Sequence, residues 1–228
     1  MNQDSIFFMG EGDNWFNRNT KALENYDNNP TDADWVSDLI DLIRIKKDIK
    51  NILDLGCANG WRLNKVGKKL EITNLVGVDA SKDAIQDGKN RYPHLSLYHS
   101  LLADIPIQDN FDLVLVCGVL CCIDRQSLAK SIAEIDRVTS DGGTLIIGDF
   151  LPDFQQCRKY HHLPEENIYT YKQDYSQIFK SMGIYREVAR IACNYGQKDI
   201  SINLLDSSSQ WVFTVLQKSL QNFYPEVP

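Results

Sequence analysis

The sequence predicts an α/β fold: a seven-stranded, mostly parallel sheet with helices on both faces, an antiparallel final strand and an N-terminal helical lid. Three observations predict it. From about residue 50 onward, short apolar runs alternate with amphipathic stretches, the pattern of strand–helix–strand crossovers in a parallel sheet. A turn carrying Gly56 and Gly60 joins the first of those runs to the stretch after it, as tight strand-to-helix turns require. Two β-rich stretches then end the chain with no good helix between them, which suggests an antiparallel hairpin on one edge.

Taken in order, residues 13–26 and 31–47 read as helices ahead of the first strand, over the sheet edge where open α/β folds bind ligands. Residues 50–57 (KNILDLGC) form a short buried run typical of a parallel strand. A helix follows to about Leu70, and 74–81 (NLVGVDAS) is the second strand. Ser81 is a suitable N-cap for the next helix, with Ala84 and Ile85 turned inward. Residues 94–100 and 111–116 are the third and fourth strands. In 124–138, Leu128, Ile132, Ile135 and Val138 share one helical face. Asp141-Gly142-Gly143 then breaks that helix before the fifth strand, 144–150. Residues 151–170 read as a long polar loop and 171–183 as a helix ended by Gly183. Residues 186–195 and 209–218 are the terminal strands.

The bulk properties narrow the function. A net charge of −7 and the absence of a Lys/Arg block, Arg44-Ile45-Lys46-Lys47 being the nearest, argue against a nucleic-acid partner. The N-terminus has no basic segment leading into an apolar one, and no run approaches 18 apolar residues. The expectation is therefore a cytoplasmic protein with no membrane span. Cys57, Cys117, Cys121, Cys122, Cys157 and Cys193 include no C-x-x-C pair. They read as reduced thiols, with no metal site expected and a redox pair at Cys121 and Cys122 as the lesser alternative.

The stretch 52–61 (ILDLGCANGW) carries most of the chemistry. Its strand ends at Asp54, and Gly56, Ala58 and Gly60 alternate through a turn whose small side chains let backbone N–H groups approach a ligand. Asp79 closes the next strand, where a carboxylate can accept both hydroxyls of a ribose. This arrangement suits a cofactor containing adenosine. The G-x-G-x-x-G spacing of a nicotinamide dinucleotide site is absent.

On these residues the sequence resembles the class I S-adenosylmethionine-dependent methyltransferases, which are Rossmann-like. D-L-G-C-A-N-G matches that family's D/E-x-G-x-G-x-G, and Asp79 in GVDAS, 104–120 and 136–150 follow in its order. The resemblance implies S-adenosylmethionine as cofactor and S-adenosylhomocysteine as product. It implies that Asp54 and Gly56 face the methionine end, with Cys57, Ala58, Asn59 and Gly60 completing the turn. Asp79 and Ala80 would meet the ribose; Ser100, Leu101 and Leu102 would pass the adenine; Cys117 and Gly118 would line the site after the fourth strand. The chain departs from the pattern at Ala58, where the middle glycine usually stands, so φ is expected to be negative there. It also lacks an acid directly after the third strand, leaving backbone at Leu101 and Leu102, or Asp104, for the adenine amino group. On this reading residues 1–228 are one domain: a helical cap (1–48), a cofactor-binding core (49–150), and an acceptor loop with terminal strands (151–228).

Methyl transfer from a sulfonium needs alignment and exclusion of water, with a base only when the nucleophile is a neutral hydroxyl. His162, His161, Tyr160 and Asp149 are the candidate catalytic residues, in or beside the polar segment after the fifth strand. Tyr171, Trp15 and Arg18 are candidates for the acceptor. Gly10 and Gly12 suggest a hinge into the N-terminal helix, and Arg18 could hold an anionic acceptor or the cofactor carboxylate. The alternative is a helix anchored on the core by Trp15 and Phe16. His94 and His99 read as structural. The opening G-x-G-D-N-W-F-N-R-N is also similar to methyltransferases of bacterial surface-sugar synthesis, including the pseudaminic-acid-associated group, which implies O-methylation of a sugar or other polar metabolite. No N-P-P-Y or D-P-P-Y follows the fourth strand, so methylation of an exocyclic or amide nitrogen of that type is not expected. The rival readings are a non-catalytic module that binds the cofactor and a different enzyme using a modified cofactor. The expected partner is a small molecule, with a homodimer open through the terminal strands.

Overall fold

The structure is a computed structural model that describes residues 2–28, 35–42, 49–194, 210–221, 223, 224 and 226. Its centre is a seven-stranded sheet in the order β3-β2-β1-β4-β5-β9-β8. The strands are β1 (Asn51–Leu55), β2 (Asn74–Asp79), β3 (Ser96–His99), β4 (Phe111–Cys117), β5 (Thr139–Phe150), β8 (Tyr185–Asn194) and β9 (Gln210–Lys218). The first five pair in parallel, and β9 is antiparallel to both β5 and β8. The predicted hairpin therefore finishes the sheet.

Alternation along the strands builds two apolar layers. Ile52, Leu113, Leu115, Ile146 and Phe213 face one side, where they meet Leu63 and Val66 of α4 (Trp61–Leu70) and Ala84 and Ile85 of α5 (Lys82–Arg91). Leu53, Leu55, Val114, Val116, Leu145 and Ile147 face the other, against Ile132, Ile135 and Val138 of α6 (Leu128–Val138) and Phe179 of α7 (Ser176–Ser181). Strands buried on both faces explain the nearly continuous apolar runs. Ser81 caps α5 as predicted, its hydroxyl accepting from the Ala84 amide at 3.0 Å.

Several elements differ from the sequence reading. The N-terminus is helical from the outset: α1 (Gln3–Ile6), a π-helical turn at Phe7–Glu11 and α2 (Gly12–Asn28). Gly10 breaks the helical conformation at φ 169°, ψ −29°, while Gly12 is helical. Of the predicted 31–47 helix, α3 spans Trp35–Leu42, and residues 31–34 and 43–47 lie outside the described ones. The helix predicted over 124–138 starts at Leu128, because the Asp124 side chain accepts from the Gln126 amide and holds 124–127 as a turn. Strand β5 runs through Gly142-Gly143 instead of starting after them.

The largest correction concerns 151–183. A two-stranded hairpin, β6 (Gln156–Lys159) and β7 (Tyr169–Lys172), occupies part of the predicted loop and the start of the predicted helix. Helix α7 is correspondingly short, although Gly183 does follow it at φ +74°. The Gln3 side-chain amide explains the hairpin's place: it donates to the Tyr169 carbonyl and accepts from the Tyr169 amide, both at 2.9 Å, satisfying the edge of β7. No helix among the described residues is long and apolar enough to cross a membrane.

Candidate active site

Strand β1 ends with Asp54 and Leu55, both fully buried, and the chain then turns back on the end of β2. The Gly56 and Cys57 amides both donate to the Val78 carbonyl, at 2.8 and 3.1 Å. That bend needs left-handed backbone at Gly56 (φ +76°) and Gly60 (φ +82°). A Cβ on Gly56 would lie 3.0 Å from the Val119 side chain, so the loop after β4 closes on this turn. Ala58 is left-handed too, at φ +49°, against the expectation of a negative value. The reason is its amide, which donates to Asp79 Oδ2 at 2.8 Å and fixes the turn to the end of β2. Asp79 Oδ1 accepts from the Ser81 amide at 2.8 Å. Burial raises the Asp79 carboxyl's pKa, and these two amide bonds oppose that rise.

The N-terminal residues 3–13 lie across the carboxyl ends of the strands as a strap, and α2 then runs along α5, with Asn17 bonded to Asp83 at its start and Glu24 paired with Arg91 at its end. At one end, Gln3 donates to the Cys122 carbonyl (2.6 Å) and Asp4 accepts from the Asp124 amide (2.7 Å), both beyond β4. At the other, Asp13 Oδ1 accepts from Ser81 Oγ (2.7 Å) and the Asp83 amide (2.9 Å), beyond β2. Gly12 comes so close that a Cβ would sit 3.2 Å from the Ser81 nitrogen. Phe8 stacks on His99 with ring centroids 4.2 Å apart, and His99 Nε2 donates to the Ala80 carbonyl at 2.9 Å. His99 is thus structural, as expected.

Between these ends lies a buried polar cluster. Glu11 is 2% exposed, and its Oε1 accepts from the Tyr160 hydroxyl at 2.7 Å and pairs with Arg18. Arg18 Nη2 also donates to the Tyr160 oxygen at 3.2 Å. Burial and the neighbouring Glu11 push the Tyr160 phenol's pKa far up, so it keeps its proton.

Comparison with known proteins agrees with this geometry. Residues 52–143 match the family model described as "Methyltransferase domain". A Campylobacter jejuni protein, the ubiquinone/menaquinone biosynthesis C-methyltransferase UbiE, is 26% identical over 113 residues, covering 46% of this chain and 46% of that protein. The match thus spans about half the length of the curated relatives. Among solved structures, the N-methyltransferase NodS from Bradyrhizobium japonicum WM9, in complex with S-adenosylhomocysteine, superposes with a TM-score of 0.57 at 18% identity. The superposition covers 87% of this chain and 97% of that one. A Clostridium acetobutylicum S-adenosylmethionine-dependent methyltransferase gives 0.61 at 14% identity, covering 88% and 98%. Residues 52–143 thus carry a methyltransferase domain, on a fold shared with S-adenosylmethionine-dependent methyltransferases.

The residues of the methyltransferase domain fit the cofactor. Each Asp79 oxygen receives one amide bond and retains a lone pair for a ribose hydroxyl. Ser100 donates from its hydroxyl to the Asp104 carbonyl at 2.6 Å, shaping the Ser100–Leu102 segment in which Leu102 is buried. Cys117 ends β4 and Gly118 follows it at φ +73°, leading to Val119, which packs on the Gly56 turn. Cys57 and Asn59 face inward instead. The buried Cys57 thiol's pKa is pushed well up by burial, Asp79 and Asp54. Asn59 donates to Asp87 at 2.8 Å and accepts from the Trp61 amide, so it secures the start of α4.

On the acceptor side, His161 and His162 are exposed and pack on each other, with ring centroids 3.8 Å apart, beside Tyr160. Partial burial, Arg18 and His161 lower the pKa of His162. Asp149 is buried at the end of β5, accepting from the Phe150 amide (2.8 Å) and the Cys121 amide (3.1 Å); burial pushes its pKa up to about 7. Tyr171 lies on the hairpin under Arg125, whose guanidinium is 4.2 Å from its ring centroid. Trp15 is half-exposed and Phe16 buried, so of these two only Phe16 anchors the helix on the core, together with Leu23.

The sequence reading missed Glu11, Asp13 and Arg125. Glu11 had one local signal, an acid between two glycines after an apolar run. Arg125 had none: it donates to Tyr175 and to the Leu120 and Ile123 carbonyls, partners that only the fold brings together.

Proposed function

We propose that the protein transfers a methyl group from S-adenosylmethionine to a small polar acceptor, at oxygen, with a sugar or similar hydroxylated metabolite as the acceptor class. The observation carrying this reading is the polar roof over the cofactor turn, where Glu11, Arg18 and Tyr160 are joined and His162 and His161 lie alongside. The cofactor supplies a methyl group already activated on sulfur. The protein's work is to align the acceptor oxygen, exclude water and receive a proton. His162 is the base: its lowered pKa leaves the imidazole neutral near pH 7. Tyr160, whose one proton goes to Glu11 and whose oxygen accepts from Arg18, holds those two side chains in place. Asp149 already accepts two amide bonds and holds the loop after β4 in place.

The test is S-adenosylhomocysteine formation from S-adenosylmethionine across a panel of hydroxylated sugars, sugar nucleotides, amines and carbon acids. Turnover that depends on a hydroxylated member supports the reading. Turnover confined to amines or carbon acids overturns O-methylation. Binding of S-adenosylmethionine without turnover on any member favours the non-catalytic module.

A further inference from the structure

The same roof holds a carboxylate oxygen without a partner among the described residues. Glu11 Oε1 takes both the Tyr160 and the Arg18 bonds, while Oε2 is buried and accepts nothing from the described residues. Both bonds from Arg18 leave through Nη2, so among the described residues Nε and Nη1 donate to no side chain or carbonyl. A buried carboxylate oxygen lacking a donor is costly, and its persistence calls for a ligand that brings one.

Position narrows that ligand. In the sheet, β1 lies between β2 and β4. The strap is fixed beyond β4 by Gln3 and Asp4 and beyond β2 by Asp13, so it crosses the end of β1, and Glu11 lies on that crossing. The end of β1 and the Gly56 turn are where the sequence pattern sets the methionine end of the cofactor. That end is a zwitterion, an ammonium beside a carboxylate. A fixed carboxylate next to a guanidinium is its complement in charge and in hydrogen-bonding sense.

We propose that Glu11 and Arg18 form a receptor for the α-amino-acid end of the cofactor, Glu11 Oε2 accepting from its ammonium and Arg18 donating to its carboxylate. In the free protein the two side chains neutralise each other, so the receptor is held ready without an unpaired buried charge. Tyr160 keeps the Glu11 carboxylate oriented with Oε2 turned away from Arg18. The proposal rests on the cofactor reading and adds to it a pair of residues outside the glycine turn.

The test compares S-adenosylhomocysteine with 5′-methylthioadenosine, which has the same nucleoside and no amino-acid end, by calorimetric titration. Wild type should bind S-adenosylhomocysteine the more tightly. Glu11→Gln should weaken S-adenosylhomocysteine at least tenfold while methylthioadenosine stays within twofold, which also shows that the variant is folded. Arg18→Gln should repeat the pattern, and it carries the test if Glu11→Gln does not fold. Equal losses for both ligands, or no loss for either, overturn the proposal. Equal wild-type affinities overturn it while leaving the cofactor reading intact, whereas wild type binding neither ligand means that the cofactor reading itself has failed.

Discussion

The Ala58 amide donates to Asp79 Oδ2 at 2.8 Å, across 21 positions of sequence, and so fastens the turn leaving β1 to the end of β2. One carboxylate thereby has two tasks. It closes the turn and caps Ser81 through its amide-bonded lone pairs, and under the proposed function the remaining ones accept from a ribose. Asp79→Asn separates neither task cleanly, because its NH2 must face one of the two amides. It should cost about 1–3 kcal/mol of stability, read by urea unfolding. It should also weaken S-adenosylmethionine by tenfold or more, read by calorimetric titration.

The strain that this bond imposes is measurable. A non-glycine residue in the left-handed region costs roughly 1–2 kcal/mol, and among the described residues Ala58 is one of two, with Glu71. Ala58→Gly relieves the strain but gains entropy in the unfolded chain, so its stability should stay within about 1 kcal/mol of wild type. Ala58→Val keeps the strain and adds a β-branch in a buried turn; it should lose more than about 2 kcal/mol. Chemical denaturation of the three proteins decides this, and an unchanged Ala58→Val would contradict the conformation.

The core was legible because its signals are local. Strands buried on both faces leave continuous apolar runs, and the Gly56 and Gly60 turn and the Ser81 cap are written in neighbouring residues. What was not legible depends on distant partners. Strand β6 is largely exposed and polar and β7 is only four residues long and half-buried, so neither shows an apolar run, and the hairpin's edge is satisfied by Gln3, 166 positions away. Ala58 read as needing negative φ because nothing local reveals that Asp79 receives its amide. Glu11 reads as an ordinary surface acid until Tyr160, 149 positions on, covers it.

His162 should govern the pH profile of methyl transfer. Its pKa lies below the ordinary 6.5, through partial burial, Arg18 and His161. The base must be neutral, so kcat should rise through that lowered pKa and be level by pH 7. His162→Asn should reduce kcat about a hundredfold or more and remove the acid limb, with little change in cofactor affinity. A profile that keeps its acid limb in His162→Asn assigns the base elsewhere.

Asp149 makes stability depend on pH in the opposite sense to most carboxylates. Its pKa is about 7 in the folded protein, against 3.8 for the unperturbed group, and desolvation is the leading cause. Between those values the native state binds more protons than the unfolded one, so unfolding becomes easier as pH rises. Asp149's favourable contribution is complete below about pH 4 and gone above about pH 7. Over the whole window it is on the order of 4 kcal/mol, and about 2–3 kcal/mol of it falls between pH 5 and 7.5. Asp149→Asn is uncharged throughout and lacks this dependence. Urea unfolding of both proteins at the two pH values isolates the residue, because carboxylates with lowered pKa, such as Asp174 and Glu134, contribute equally to each. Wild type should lose more stability than the variant on going to pH 7.5. Parallel losses would mean that Asp149 titrates like an exposed acid, and that the Cys121 and Phe150 amides outweigh its burial.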